Sequence, residues 1–210
     1  MPSTLTSASG LPRIVQAGDP VLRAVAEPVL SGELQSSPFR ALVSTMVAVM
    51  RAAPGVGLAA PQIGVRKQVI VVEDREEFLG HVSEEARAAR ERSPLPLTVI
   101  VNPTIRLVPG PTATFFEGCL SVAGYAALVT RSLEVVVSGL DATSTDAVPR
   151  EWRLRGWPAR ILQHEVDHLG GTLYVDRMHT RSFSGPEETH RWAGLSTEEA
   201  ASLLGVKLRV

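Results

Sequence analysis

Apolar residues follow two different rhythms along this chain. Phe39, Leu42, Val43, Met46 and Met50 recur at helical spacing, which predicts a core-facing helix opened by Ser37-Pro38 and ended by Pro54-Gly55. Gln68 to Val72 is a short β-branched run, the pattern of a buried strand. Leu97 to Val101, Thr112 to Phe116 and Leu133 to Ser138 read as further strands, with a turn over Asp141 to Asp146. Ala159 to Leu169 returns to a helix and closes on Gly170-Gly171. Helices are also expected near both ends. Asp19-Pro20 caps one over Val21 to Ala26, and Ser196 with Glu199 has capping-box spacing before Ala200, Leu203 and Leu204. Glu73 to Ser93 is charged and alanine-rich, and reads as an inserted helix or mobile loop with a solvated charged face.

Composition narrows the class. A chain of 210 residues fits one domain with appendages. Its 44% hydrophobic and 20% charged content excludes wholesale disorder, and a net charge of -1 gives no basic surface for nucleic acid. The apolar stretches are too short to span a bilayer, so no membrane partner is expected. Met1 to Gly10 is Ser/Thr-rich without a basic start or an apolar run, and is expected to be a flexible tail rather than a leader. The single cysteine, Cys119, excludes a disulfide scaffold and suits a reducing compartment, hence a cytoplasmic location.

The chemistry concentrates in His164-Glu165-Val166-Asp167-His168. Residues four apart share a helix face, so His164 and His168 can address one ion with Glu165 beside them. Asp167 offers a carboxylate to orient a neighbouring group. Cys119 supplies a thiolate, and two imidazoles with one sulfur leave a position open for chemistry. Two blander readings compete: helix histidines bonded to ordinary partners, and a cysteine nucleophile with a histidine base. The second explains only one histidine, whereas metal ligation uses all three residues. Gly55-Val56-Gly57-Leu58-Ala59-Ala60 matches a loose dinucleotide fingerprint, but a helical pattern precedes it and Pro61 and Gly64 leave no room for the crossover helix. A glycine-rich extended segment suits close backbone approach to a ligand instead.

Three segments together resemble the signature motifs of the peptide deformylase family, in the family's order. They are Gly55-Val56-Gly57-Leu58-Ala59-Ala60-Pro61-Gln62, Glu117-Gly118-Cys119-Leu120-Ser121 and Gln163-His164-Glu165-Val166-Asp167-His168-Leu169. Gly18-Asp19-Pro20, Val101-Asn102-Pro103 and Gly156-Trp157-Pro158-Ala159-Arg160 agree with it. The insert after Val72, Phe115-Phe116 and Arg181-Ser182-Phe183 lean toward the organelle-type branch and related bacteria. Ala123-Gly124 replaces a proline-glycine common in bacterial members, a change expected at the pocket rim. The implied division is a tail over 1–10, a catalytic domain over 11–183 and a helical extension over 184–210. The expected fold class is α+β, with antiparallel sheets around a central metal-binding helix and N- and C-terminal helices outside.

The resemblance implies hydrolysis of the N-formyl group from formylmethionine N-termini of nascent peptides, with the ribosome surface a further candidate partner. It implies Cys119, His164 and His168 as ligands of one divalent metal, Fe(II), for which Zn(II), Ni(II) or Co(II) substitutes. Glu165 would move the proton, and the Gln62 amide with the Leu120 backbone N–H would stabilise the oxyanion. Gly55, Val56 and Gly57 would align the peptide, Val56 and Ile161 would line the methionine pocket, and Arg131 would pair with Asp167. Two rivals stand beside this reading. A helix-borne zinc peptidase of one class needs a third histidine where Tyr174 stands, and another class needs a downstream glutamate such as Glu187 or Glu188. An inactive metal-binding homologue would need neither Glu165 nor Gln62.

Overall fold

Successive strand residues point to opposite faces of a sheet, and the run Val69–Asp74 uses both. Val69 and Val71 enter one apolar core with Met46, Val49 and Met50. Ile70 and Val72 enter a second core with Ala159, Ile161 and Leu162. A strand buried on both faces carries a continuous apolar run, which is why this one stands out in the sequence. The computed structural model describes residues 10–144, 146–192 and 194–208. All of the expected N-terminal tail except Gly10, and Thr145 of the expected turn, lie outside the described residues.

Among the described residues the strands are β1 (Gly57–Ala59), β2 (Val69–Asp74), β3 (Leu95–Leu107), β4 (Thr112–Cys119), β5 (Val122–Ser132), β6 (Glu134–Asp141) and β7 (Val148–Arg155). The helices are α1 (Ser37–Ala52), α2 (Glu76–Leu79), α3 (Glu84–Ala89), α4 (Trp157–Leu169), α5 (Pro186–Trp192) and α6 (Thr197–Leu203). Five strands form one sheet in the order β1-β2-β3-β6-β7, and β4 pairs with β5 in a separate hairpin. Every pairing is antiparallel. α1 covers one face of the large sheet, and α4 packs on the other while also touching β5. The fold is therefore α+β, with α4 held between two antiparallel sheets. Among the described residues no helix is long and apolar enough to cross a membrane.

Several elements differ from expectation, each for a local reason. The predicted helix over Val21 to Ala26 is a 3-10 turn of Pro20–Arg23, capped as expected by Asp19 on the Val21 N–H. It stops because the Ala26 and Glu27 N–H groups bond to Leu169 and Arg66 carbonyls instead. α4 starts two residues early, at Trp157, because Pro158 in the first turn costs no helical hydrogen bond. The turn and glycines of β1 lead into a short 3-10 turn (Ala60–Ile63), not a crossover helix, so the nucleotide fingerprint fails in its context.

The insert corrects a second expectation. It forms α2 and α3, but its charges are not all solvated. Asp74 is fully buried and takes a bidentate pair from Arg92, at 2.8 Å for both bonds. Glu91 pairs with Arg155 and sits against Gly156, tying the end of the insert to the start of α4. At the C-terminus Ser196 and Glu199 cap α6 reciprocally, as their spacing predicts. α5 precedes it and carries Glu187 and Glu188 in its first turn.

Candidate metal centre

α4 delivers two imidazoles to one point. His164 and His168 sit four residues apart, with ring centroids separated by 5.1 Å. The helix is fixed along its buried side by Gln163, which donates to the Ser132 carbonyl at 2.8 Å and accepts from the Ser132 N–H at 3.1 Å. The third donor arrives from β4. The β4–β5 register shifts between Gly118 and Cys119, and such a bulge re-aims the side chain that follows it. Cys119 Sγ lies 3.4 Å from His168 Nε2.

The donor atoms of Cys119, His164 and His168 all lie within 4.8 Å of one another. Small side-chain rotations close that spread onto one ion with bonds of about 2.0–2.3 Å. A thiolate with two imidazoles suits divalent transition ions, so this group could hold a metal. Burial pushes the His168 pKa well below its usual value, favouring the neutral imidazole that ligation needs. Burial also lowers the pKa of the half-buried His164, but hydrogen bonds with Cys119 and Glu117 outweigh that and raise it. A cation at the same atoms takes the place of that proton.

Glu117 is the residue that motif spacing did not single out. Its carboxylate accepts from Arg131 at 3.0 and 2.9 Å and from Arg160 at 2.5 Å, and it meets His164 Nδ1 at 3.1 Å. Burial pushes its pKa up, yet the hydrogen bonds from His164 and Arg131 hold it well below the usual carboxylate range. Asp167, expected to orient a neighbouring group, does so at one remove. It accepts from Arg131 at 2.5 Å and from Arg177 at 2.7 and 2.8 Å, and Arg131 in turn grips Glu117. The Arg131–Asp167 pair is thus present, but the carboxylate on the imidazole belongs to Glu117.

Glu165 faces a cavity of about 380 Å³ whose lining includes Gly55, Val56, Gly57, Leu120 and Ile161. Its Oε2 is buried with no hydrogen-bond partner among the described residues, and burial pushes its pKa up to about 7. Such an acceptor is available to a proton from whatever enters the cavity. Gln62 projects from the turn after β1. Its Oε1 accepts from the Ala59 N–H at 2.8 Å, which aims Nε2 toward Ser121 Oγ at 3.3 Å and Cys119 Sγ at 3.6 Å. β1 is an edge strand, so one side of its backbone is open to an added strand. Tyr174, where a zinc peptidase would place its third histidine, is buried and stacks on His164 at 6.3 Å instead of joining the donor group. Arg92, from the insert, also lines the cavity, which the reading of the insert as a solvated face did not anticipate.

A helix histidine pair and a convergent thiolate, with a buried glutamate beside an open cavity, form a group that could hold a metal ion. The chain belongs to the polypeptide deformylase family, whose model matches residues 11–183. It is 50% identical over 173 residues to the chloroplastic/mitochondrial peptide deformylase 1A of Arabidopsis thaliana, covering 82% of this chain and 63% of that one. To peptide deformylase 1 of Streptomyces coelicolor it is 46% identical over 198 residues, covering 93% and 86%. The chain spans about three fifths of the length of the plant relatives it matches, 61% and 63% for the tomato and Arabidopsis proteins. Among solved structures, the Met-Ala-Ser-bound class I type b peptide deformylase of Acinetobacter baumannii superposes with a TM-score of 0.69 at 34% identity, covering 83% of this chain and 99% of that one. The actinonin complex of the Synechococcus elongatus enzyme gives 0.67 at 31%, covering 98% and 92%.

Proposed function

We propose that this chain removes the formyl group from formylmethionine at the N-terminus of new polypeptides and releases formate. The observation that carries the reading is the Cys119, His164 and His168 donor group beside a buried Glu165 on the cavity wall. Cys119, His164 and His168 would hold a divalent ion, which would supply Lewis-acid charge and lower the pKa of a water. Fe(II) is the proposed ion, with Zn(II), Ni(II) or Co(II) able to substitute.

The remaining chemistry belongs to the chain. Glu165 accepts the proton of the attacking water and returns it to the departing amine, a task its raised pKa suits. The Gln62 Nε2 donor and the Leu120 backbone N–H stabilise the oxygen on which negative charge develops. The peptide runs beside β1 as an added strand, aligned by Gly55, Val56 and Gly57. Val56 and Ile161 take the methionine side chain. Arg131 and Asp167 position Glu117, and Glu117 fixes the His164 ring.

The catalytic unit is proposed to be residues 11–183, with 184–210 as an extension, and the site of action the cytoplasm, where a free thiolate ligand survives. The ribosome surface is a proposed contact. The test is formate release from formyl-Met-Ala-Ser by anaerobically purified protein loaded in turn with iron, nickel, cobalt and zinc. Turnover and metal content should both collapse in Cys119→Ser. Full metal and full activity in that variant would point to a peptidase-like site instead, and no turnover with any metal would favour an inactive homologue.

A further inference from the structure

The cavity wall formed by β4 and β5 rests on chain at and beyond the end of the family match. Phe116 stacks on Trp192 of α5, with ring centroids 6.3 Å apart and planes within 8°. Tyr125 stacks on Phe183 at 5.0 Å, again within 8°. Gly124 approaches Pro186 so closely that a Cβ would fall 2.8 Å from the proline Cγ. All three of these wall residues line the cavity. The segment behind them is anchored. Ser184 and Ala126 exchange backbone hydrogen bonds of 2.9 and 3.1 Å, and the Trp192 indole N–H donates to Ser184 Oγ at 2.8 Å.

Trp192 and Ser184 are buried, whereas the Tyr125–Phe183 pair is exposed. Tyr125 is 41% and Phe183 43% exposed, so a stacked aromatic pair stands half open to solvent at the mouth of the cavity. Large apolar groups left open beside a binding cleft mark a contact surface. A peptide that places its first residue near Glu165 and runs along β1 turns alternate side chains to opposite sides, and Tyr125 lines the same cavity as Gly57 and Glu165.

We propose that Tyr125 is a specificity-determining residue, held in place by Phe183, that favours formylated peptides with a bulky apolar or aromatic side chain following the methionine. The inference rests on the deformylase reading. Tyr125 would touch the peptide, whereas Phe183 acts through Tyr125 as a positioning residue. A face-stacked partner fixes a ring without adding atoms to the cleft.

The test compares formyl-Met-Ala-Ser with formyl-Met-Phe-Ser and formyl-Met-Ala-Phe, using the full-length metal-loaded enzyme and its variants. The wild type should prefer at least one aromatic peptide by roughly fivefold in kcat/KM, the scale of one aromatic contact, with the difference in KM. Phe183→Ala should reduce that preference to within about twofold, Tyr125→Ala should do the same, and Phe183→Tyr should restore it. The idea is overturned if the wild type shows no preference, if the alanine variants lower kcat/KM equally on all three peptides, or if Phe183→Tyr fails to rescue. Absence of formate from every peptide with the wild type would overturn the deformylase reading itself, an outcome separate from loss of preference.

Discussion

Gly57 and Glu165 occupy space that a single extra methyl group would contest. A Cβ built on Gly57 would overlap Glu165 Oε1 and lie 2.7 Å from its Cδ, well inside any tolerated contact. The glycine motif of β1 thus makes room for the Glu165 carboxylate, on an edge strand whose Gly57 lines the cavity.

Gly57→Ala should therefore displace Glu165 while sparing Cys119, His164 and His168. A fall in kcat/KM of at least about 100-fold is expected, the lower end of what a positioned acid-base group contributes. Metal content, read by elemental analysis, should stay near that of the wild type. Activity within a few-fold of normal would show that the carboxylate has somewhere else to sit.

Glu117 compensates two buried guanidinium groups and holds the His164 imidazole at the same time. Glu117→Gln keeps the shape but removes the charge. Breaking a buried pair from one side costs on the order of 3–5 kcal/mol, and losing the partner of a ligand histidine costs roughly 10–100-fold in metal affinity. Denaturant unfolding and competitive chelation measure the two effects separately, and a variant normal in both would remove Glu117 from this account.

The same residue sets a pH dependence. Its folded pKa lies below the ordinary value of 4.5, so the unfolded chain takes up the proton first as the pH falls. The stability it contributes is fully present above that ordinary value and is lost as the pH drops toward the depressed folded one. The acid limb of stability against pH should be steeper in the wild type than in Glu117→Gln. Parallel limbs between about pH 6 and pH 3, by urea midpoint, would contradict it.

Gly156 has φ of +67°, and a Cβ there would lie 2.5 Å from Glu91 Cβ and 2.6 Å from the Glu91 carbonyl oxygen. Gly156→Ala should lever the end of the insert away from α4. A loss of about 2 kcal/mol is expected from the strained backbone alone, with faster amide exchange over residues 84–92. Unchanged exchange there would mean that the insert is not held by this contact.

What the sequence made legible was local. The histidine pair needs only four residues of helix, and Cys119 has no rival thiol, so the donor group could be read without a structure. β2 was visible because it is buried on both faces. β5 and β7 were not: Ala123, Gly124, Ala126 and Ala127 dilute the β-branched signal in one, and Arg150, Glu151, Arg153 and Arg155 make the other look like a loop. β7 needs only one buried side, and Trp152 supplies much of it. The role of Glu117 was hidden for a different reason. It depends on β4 meeting α4, which brings together residues 47 positions apart.

That long reach has a kinetic consequence. The donor group joins Cys119 in β4 to His168 at the far end of α4, 49 positions later, and no shorter piece of the chain holds both. Loop closure over such a span is slow compared with forming either element alone. The donor group cannot form before α4 docks between the two sheets, so metal uptake during refolding should report the last assembly step, and the three donors meet only when the architecture is otherwise complete.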